Sequence, residues 1–422
     1  MRVVKPIHTI AVDLTPLLPG GENGGAKIFV LELLHQLTSM LPEVHFIFLT
    51  QAMAHDGLAT MDRANIERQQ VVSAVVAQGV RPRLQRLARE LLPYLPPPLR
   101  HLVSRGGYAL NAALKRGGSR GLLRDRGVDL LLCPFTAPTY HEPGIPTVCI
   151  LYDLQYQAYP MFFAPEDLAN REQTFWDACR RATLIVAISD YTRDMAIRYG
   201  RLDPGRIRTI PLRMAQRLVT QGQALDPRDI LARLGLTSGQ YLLYPANFWK
   251  HKNHEMLLTA FGMARHAGLP PDIRLVCTGT PGARQDYLVQ AVHRMDLEGC
   301  VRFPGYLSDP AFAVLLANSC GLVFPSLYEG FGLPIIEAMA AGVPVACSNL
   351  TALQEVAGKA AILFDPRVPT QIVNALFTLV GDDPLRTRLI QAGRQRAIEF
   401  ADSKQMASEY WALLKSILRQ PA

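Results

Sequence analysis

The sequence predicts an α/β protein built from two doubly wound domains, each a parallel sheet covered by helices. Short runs rich in β-branched residues alternate with longer helical patterns along the chain, which is typical of parallel sheets with helical crossovers. The length of 422 residues exceeds one ordinary core, since domains usually hold about 100–200 residues. An apolar fraction of 49% with 19% charged residues indicates a folded chain and excludes a disordered or coiled-coil one.

Two groups of segments are predicted to be strands. The first group is His8–Leu14, Val44–Thr50, Gln70–Val76, Asp129–Cys133, Thr147–Tyr152, Thr183–Ile188 and Ile207–Leu212. The second group is Gln240–Tyr244, Ile273–Thr278, Val301–Phe303, Gly321–Phe324, Pro344–Cys347 and Ala361–Phe364. The stretch from Arg213 to Gly239 has no strand pattern, so we place the domain boundary there. The N-terminal domain is then residues 1–213 and the C-terminal domain 214–400, each with a sheet of about six strands.

Two such sheets in tandem predict a central cleft, because doubly wound sheets bind ligands beyond the carboxyl ends of their strands. The last segment, residues 401–422, is predicted to be an amphipathic helix. Its apolar face carries Met406, Tyr410, Leu413, Leu414 and Ile417. This helix packs against the nearest domain or crosses back to the N-terminal domain, and the pattern alone does not choose.

Several classes of protein are excluded by what the sequence lacks. No run of about 18 uncharged apolar residues occurs, and Lys5, His8 and Asp13 interrupt the apolar N-terminus, so a secretory signal is not expected. The seven cysteines are scattered, with no pair at metal-ligand spacing. This pattern is typical of reduced thiols in a cytosol. We therefore expect a cytoplasmic protein with no metal site, haem, disulfide or other cofactor.

Positive charge is concentrated in residues 81–126. This segment holds eleven Lys/Arg and two acids, a balance of +9, whereas the whole chain is +8. Arg83, Arg86 and Arg89 alternate with leucines, which suits a membrane surface with anionic lipids or a lipid-diphosphate acceptor. An ordinary solvated face is the alternative. A nucleic-acid partner is not expected, because aromatic residues are not interleaved with the basic ones.

The most informative stretch is Phe324 to Val345. A buried strand is predicted to end at Phe324 and a helix to begin at Pro334, which is favoured at the first helical position. The intervening glycine-rich loop then lies at a helix N-terminus, where backbone amides attract anions. Glu329 in this loop and Glu337 in the first helical turn are suited to sugar hydroxyls, because a carboxylate can accept two of them. A lone acid in a first turn is also favourable without any function.

This stretch resembles the Glu-x7-Glu signature of the retaining glycosyltransferases of family four, the group 1 glycosyltransferases, which have the GT-B fold. The match continues at Ser348, Leu353–Val356 and Ala361–Pro366, and upstream at Phe303–Asp309. The resemblance implies two Rossmann-like domains facing a central cleft. It also implies that the C-terminal domain binds a nucleotide-sugar donor.

The resemblance assigns roles to individual residues of that domain. Glu337 would hold the ribose hydroxyls, and Glu329 the hydroxyls of the transferred sugar. Tyr306 would lie near the base. The backbone amides against the sugar and the diphosphate would be those of Gly330, Phe331, Gly332 and Leu333.

A second basic site follows the first strand of the C-terminal domain. Asn253 is predicted to cap the next helix, and Lys250 and Lys252 crowd the positive end of that helix dipole, which favours a bound anion. An exposed basic loop is the alternative. The family has an Arg and a Lys here that neutralise the diphosphate leaving group. Lys252 matches the Lys, but Asn247 stands where the Arg is usual.

Two further segments come from the N-terminal domain. The glycine cluster between strand one and a helix predicted at Ile28–Leu37 matches a family loop that closes over the diphosphate, so Gly24 and Gly25 are candidates. On its own, such a cluster is a weak signal. Many relatives have His-Asp where this chain has Tyr152 and Asp153. A Tyr can hydrogen-bond a sugar but does not share a proton at neutral pH as His does.

The resemblance therefore implies a retaining, metal-independent glycosyltransferase with Glu329, Lys252, Asp153 and Tyr152 as its catalytic candidates. No Asp-x-Asp pair for a catalytic metal is present. GDP-mannose is the first candidate donor and a UDP-sugar the second, and the acceptor is a glycan or a lipid-linked glycan of surface polysaccharide synthesis. The location is cytoplasmic or peripheral at the inner face of the membrane. The alternatives are an inactive subunit of a polysaccharide assembly complex and a sugar-nucleotide epimerase of the same fold.

Overall fold

The chain forms two compact units in the computed structural model. One unit is Met1–Pro211 together with Lys404–Ala422, and the other is Leu212–Ser403. The structure describes residues 6–19, 23–72, 92, 95–118, 121–219 and 225–418, without the side chains of 114–118. The basic residues Arg83, Arg86 and Arg89 lie outside the described residues. Each unit contains one sheet in which every strand pair is parallel.

The sheet of the first unit has seven strands in the order β3-β2-β1-β4-β5-β6-β7. The strands are β1 Thr9–Asp13, β2 His45–Gln51, β3 Ile66–Val72, β4 Leu130–Cys133, β5 Thr147–Leu151, β6 Leu184–Ala187 and β7 Ile207–Thr209. The helices are α1 Gly24–Met40, α2 Ala52–His55, α3 Pro97–Gly118, α4 Gln155–Ala158, α5 Pro165–Arg181, α6 Asp190–Gly200 and, at the end of the chain, α15 Ser403–Ile417. The central strands are fully buried because helices cover both faces of a parallel sheet.

The sheet of the second unit has six strands in the order β10-β9-β8-β11-β12-β13. The strands are β8 Tyr241–Pro245, β9 Arg274–Thr278, β10 Val301–Gly305, β11 Gly321–Phe324, β12 Val345–Ser348 and β13 Ile362–Phe364. The helices are α7 Pro227–Leu234, α8 His254–His266, α9 Ala283–Arg294, α10 Asp309–Ala317, α11 Leu333–Ala340, α12 Ala352–Ala357, α13 Pro369–Gly381 and α14 Asp383–Ile398. The α/β doubly wound architecture predicted from the sequence is confirmed.

Every predicted strand is present, but β3 is displaced. The prediction was Gln70–Val76, whereas β3 runs from Ile66 to Val72 and pairs Ile66 with Phe46. The displaced part of the prediction, residues 73–76, lies outside the described residues. The error arose because β3 is an edge strand with a polar first half, and edge strands lack the apolar pattern of central ones.

The terminal helix α15 packs in the first unit, next to α1. Its buried side chains include Met406, Tyr410 and Leu414, and the ring of Tyr410 lies 6.3 Å from that of Phe29. The N-terminal segment of the first unit ends at Pro211, two residues before the boundary drawn from the sequence. The terminal helix thus belongs to the same unit as the N-terminal part of the chain, which is one of the two arrangements that the sequence left open.

The sheet order defines where a ligand can approach each unit. In the first unit β1 lies between β2 and β4, and in the second unit β8 lies between β9 and β11. At these two strands the order of the sheet reverses direction. The connections on either side then run to opposite faces of the sheet, so a crevice opens beyond the carboxyl ends of the strands. The loops after β8 and β11 therefore meet at the crevice of the second unit.

Candidate functional site

Direct contacts join the loops that follow β8 and β11. The two strands pair in register, Gly321 with Leu242. Beyond them, the backbone N–H of Leu327 donates to the carbonyl of His251 at 2.7 Å. The two sequence motifs, one around Lys252 and one around Glu329, are therefore brought to one point at the edge of the sheet.

Asn253 connects three of the segments at this edge. Its side-chain amide donates to the carbonyl of Pro325 at 3.1 Å and to that of Pro366 at 2.8 Å. Its backbone has φ of +62°, in the left-handed region, and its side chain does not cap α8. Asn253 holds the predicted N-cap position, but the expected side-chain capping bond is not formed, because this side chain instead satisfies buried carbonyls of two other loops. Asn tolerates the left-handed conformation better than most residues.

Lys252 and Glu329 form an ion pair. Lys252 Nζ lies 2.6 Å from Glu329 Oε1, and each side chain is 13% exposed. The ammonium also lies 5.5 Å from the centre of the Phe324 ring, and the Tyr244 hydroxyl donates to the Lys252 carbonyl at 2.6 Å. Lys252 is thus held in place by the hydrogen bond to its carbonyl, by the Phe324 ring and by the Glu329 carboxylate. A fixed cation of this kind suits a phosphate, and a fixed carboxylate beside it suits a hydroxyl.

The glycine-rich loop requires a glycine at position 332. Gly332 has φ of +103°, and a Cβ built there would lie 2.6 Å from Leu353 Cδ2. The Phe331 side chain is buried and packs edge-on against Phe400 with ring centres 5.6 Å apart. Phe331 therefore offers only its backbone to a ligand. The loop brings the chain into α11, whose first residue is Leu333 and whose second is Pro334.

Glu337 lies in the second turn of α11, one turn later than predicted. No acid is present in the first turn, so the favourable dipole of a helix N-terminus does not account for this residue. Its side chain is 4% exposed. A carboxylate buried in this way requires a cation or several hydrogen bonds.

Arg217 supplies that cation. Its Nε donates to Glu337 Oε1 at 2.9 Å and its Nη1 donates to Asp309 Oδ2 at 2.6 Å. Burial raises the pKa of Glu337 above its ordinary value, and the adjacent guanidinium offsets only part of that rise. Burial acts to lower the pKa of Arg217, but the two carboxylates raise it overall. Arg217 therefore remains charged and orients Glu337.

Arg217 is not among the site residues predicted from the sequence. It lies in the strandless stretch between the domains, 120 residues from Glu337, and no spacing rule connects the two. The sequence feature that could have indicated this pair is Glu337, because it lies in an otherwise apolar run from Pro334 to Val345. An acid in such a run predicts a buried cation without naming it.

The remaining candidates of this unit lie around the ion pair. Asn247 Oδ1 accepts a hydrogen bond from the backbone N–H of Thr280 at 2.9 Å, so it connects the loops after β8 and β9. Lys250 is exposed and begins the short turn that contains Lys252. Tyr306 is 66% exposed and follows β10, two strands from β8. At about 4.8 Å per strand, it lies roughly 10 Å from the β8 loop.

In the first unit, the candidate glycines begin α1. The helix starts at Gly24, which has φ of +51°, and not at Ile28 as predicted. The loop before it is held by side chains, because Asn23 Oδ1 accepts from the Leu18 N–H at 2.7 Å and Lys27 Nζ donates to the Pro19 carbonyl at 2.8 Å. Gly25 is the second residue of the helix. These contacts place both glycines beyond the carboxyl end of β1.

Tyr152 and Asp153 follow β5 at the same edge of that sheet. The Tyr152 hydroxyl donates to the carbonyl of Pro134 at 2.7 Å, and burial raises the pKa of this phenol well above its ordinary value. Asp153 Oδ1 accepts from the backbone N–H of Gln155 at 3.1 Å. Ser189 caps α6 by accepting from the Thr192 N–H at 3.1 Å.

Two absences concern the described residues alone. Across the described ranges, no three or more His, Cys, Asp or Glu side chains are grouped so that they could hold a metal ion. Among the described helices, none combines the length and apolar character that crossing a membrane requires.

Two doubly wound units, with a Lys–Glu pair and a glycine-rich helix start at the crevice of the second, define the GT-B class of fold. Residues 230–396 match the model of the glycosyl transferases group 1, and residues 23–212 match that of Glycosyltransferase Family 4. The chain belongs to the group 1 glycosyltransferases and is a glycosyltransferase. This confirms the family expected from the Glu-x7-Glu signature.

Individual relatives agree with this assignment. The chain is 32% identical over 273 residues to an O-antigen chain mannosyltransferase B of Escherichia coli, covering 62% of this chain and 70% of that one. It is 32% identical over 154 residues to an MMP α-(1→4)-mannosyltransferase of Mycolicibacterium hassiacum, covering 36% and 37%. Among solved structures, the Anabaena protein HepE, in complex with UDP and glucose, matches with a TM-score of 0.70 and 18% identity over 97% of this chain and 100% of that one.

Proposed function

We propose that this glycosyltransferase moves mannose from GDP-mannose to a glycan or lipid-linked acceptor in surface polysaccharide synthesis. Support for mannose comes from the Escherichia coli relative, which is an O-antigen chain mannosyltransferase. Support for a nucleoside-diphosphate donor comes from the paired cation and carboxylate at the crevice of the second unit. A UDP-sugar is the second candidate, because the Anabaena structure of the same fold holds UDP and glucose.

The observation that carries the proposal is the arrangement of Lys252, Glu329 and Glu337 in one unit. We assign Glu337 to the ribose hydroxyls, since Arg217 orients its carboxylate at 2.9 Å. We assign Glu329 to the hydroxyls of the transferred sugar and Lys252 to the diphosphate. The two side chains are 2.6 Å apart, so they can contact the transferred sugar and the diphosphate bonded to it at the same time. The backbone from Gly330 to Leu333 completes the anion site at the start of α11.

The residues around this centre take supporting roles in the proposal. Asn247 replaces the Arg of the family pattern and holds the β9 loop, so it does not neutralise charge. The exposed Lys250, two residues before Lys252, provides the second positive charge for the diphosphate. Tyr306 has a largely exposed ring that can stack on a base.

The first unit contributes at the carboxyl ends of β1 and β5. We assign Gly24 and Gly25 to close contact with the diphosphate, because a glycine backbone lets a phosphate approach. Asp153 is assigned to the transferred sugar. The Tyr152 hydroxyl donates its proton in a hydrogen bond to the Pro134 carbonyl, and burial raises its pKa. This hydroxyl is therefore engaged within the protein and takes no part in proton transfer.

The chemistry we propose is transfer with retention of configuration and without a metal. The acceptor oxygen attacks the anomeric carbon from the face that the diphosphate leaves. As the bond from that carbon to the phosphate oxygen breaks, the leaving oxygen takes the acceptor's proton. Lys252 and the amides at the start of α11 stabilise the charge that develops on the diphosphate. A metal ion is not needed for that stabilisation.

The test is donor turnover by the purified chain. GDP-mannose and UDP-glucose are incubated separately with the protein and EDTA, and the released nucleotide is measured with and without mannoside acceptors. We expect turnover of GDP-mannose in excess of UDP-glucose, and its loss in Lys252→Ala. Binding without turnover of any donor would favour an inactive subunit of an assembly complex. An altered sugar still attached to its nucleotide would favour an epimerase.

A further inference from the structure

Helix α3 (Pro97–Gly118) packs against α5 (Pro165–Arg181) through polar side chains. Arg100 Nε lies 2.7 Å from Glu166 Oε1, and His101 Nε2 lies 3.2 Å from Glu172 Oε2. Ser104, one turn further along the same face, is buried. The first two turns of this helix therefore face α5 with charged and hydroxyl groups, where an ordinary surface helix has apolar ones. Further along, Tyr108 and Ala112 line the space beside α5.

The opposite face of α3 is apolar and exposed. Leu99 is 46% exposed, Leu102 64%, Val103 48% and Leu110 62%. At 3.6 residues per turn these four positions lie within one third of the helix circumference. Single exposed leucines are common on proteins, but four on one face of one helix form a patch that marks an interaction site. Gly106 and Ala113 lie on the same face, so no polar side chain interrupts it.

The charges of α3 indicate what this face contacts. From Pro97 to Gly118 the sequence has four basic residues and no acid. Arg105 borders the apolar face and is 45% exposed, at 3.8 Å from Glu172. The wider segment, residues 81–126, has a balance of +9. An apolar face bordered by positive charge is complementary to a bilayer with anionic headgroups. A second copy of this chain would bring two equally basic segments together, which charge repulsion opposes.

We propose that α3 lies on the surface of an anionic lipid bilayer, with Leu99, Leu102, Val103 and Leu110 in the boundary between headgroups and acyl chains. This role explains why α3 turns its polar face toward the protein and its apolar face outward. Its polar face is fixed to α5 by Glu166 and Glu172, which leaves the apolar face available to lipid. The inference does not depend on the donor, since it concerns a helix of the first unit alone.

The test uses the full chain and co-sedimentation with vesicles. One vesicle type is phosphatidylcholine and the other adds phosphatidylglycerol. We expect binding to the anionic vesicles that weakens as salt is raised. The double variant Leu102→Gln, Leu110→Gln should bind about a hundredfold more weakly, since each leucine loses apolar burial worth a factor of about ten. Both positions are exposed, so circular dichroism and melting should not change.

A matched control replaces exposed apolar residues away from α3. Met161→Gln and Ile398→Gln alter side chains that are 69% and 61% exposed, and vesicle binding should remain as in the original chain. Three results would overturn the proposal. They are no binding to anionic vesicles at low salt, equal binding by the double leucine variant, and a dimer that this variant converts to a monomer while neither form binds vesicles. Thermal shifts with GDP-mannose, read separately, report on the donor site.

Discussion

Replacing Arg217 by Met should destabilise the second unit by leaving Glu337 as a buried, unpaired carboxylate. Arg217 contacts Glu337, whose side chain is 4% exposed, and Asp309, whose side chain is 38% exposed. Breaking a buried ion pair from one side costs about 3–5 kcal/mol. An exposed pair contributes only about 0–1 kcal/mol, so the loss comes from Glu337. For a unit of about 200 residues, a loss of 3 kcal/mol lowers the melting temperature by roughly 6–12 °C.

The destabilisation should also depend on pH in a defined direction. Burial already raises the pKa of Glu337, and removing Arg217 removes the interactions that lower it. The folded variant then holds this proton more tightly than the unfolded chain does. Its stability is fully present below about pH 4.3, the ordinary value for Glu, and is lost as pH rises through the raised folded value. Arg217→Met should therefore be less destabilising at pH 5 than at pH 8.

Differential scanning calorimetry of the purified variants checks both expectations. The matched control is the double variant Arg217→Met, Glu337→Gln, in which the buried carboxylate is gone and only the partly exposed Asp309 loses its partner, and it should recover much of the lost stability. A melting temperature for Arg217→Met within about 2 °C of the original at pH 8 would refute the reasoning. So would a double variant as unstable as the single one.

Three other predictions concern the same unit. Glu337→Gln should mainly raise KM for the donor and Glu329→Gln should mainly lower kcat, as steady-state kinetics will show; equal, small effects of both would contradict the assigned roles. Gly332→Ala should cost about 1–3 kcal/mol in urea unfolding, because of the left-handed backbone and the Leu353 contact, whereas an unchanged midpoint would exclude the strain. His254 has its pKa lowered to about 3 by burial, so stability should fall as pH drops below about 6.5, by up to about 1.4 kcal/mol per pH unit. His254→Phe should remove that slope, and an identical slope in both proteins would contradict it.

The strand pattern was predictable because central strands of parallel sheets are buried on both faces. Segments such as Leu130–Cys133 and Gly321–Phe324 are short, apolar runs between turn residues, and that pattern depends on burial alone. Edge strands are not predictable in this way. In β3, the residues from Glu67 to Gln70 are polar, and only pairing with β2 defines its register.

The candidate site was predictable as far as its motifs were local. Gly332 and Glu329 lie within one loop, and the requirement for glycine follows from the backbone there. The partners of these residues come from distant parts of the chain. Arg217 and Glu337 are 120 residues apart, and Lys252 and Glu329 are 77 apart. Only the tertiary fold brings these pairs together. The local sequence around one residue of a pair does not indicate which residue is its partner.

The inverted helix α3 shows the same limit in another form. Its leucines and arginines were visible in the sequence, but which face packs inward was not. The apolar pattern alone favours burial of Leu102 and Leu110. The contacts of Arg100 and His101 with glutamates of α5 reverse that orientation, because a half-buried polar or charged group without a partner costs more free energy than an exposed leucine does.

The most direct test of the central claim is NMR analysis of the product formed from GDP-mannose and a mannoside acceptor by the purified chain in EDTA. We expect a new glycosidic bond with the α configuration of the donor. We also expect that Lys252→Ala abolishes its formation, whereas Lys250→Ala only slows it. A β-linked product, or complete dependence of the reaction on added magnesium or manganese, would contradict the account.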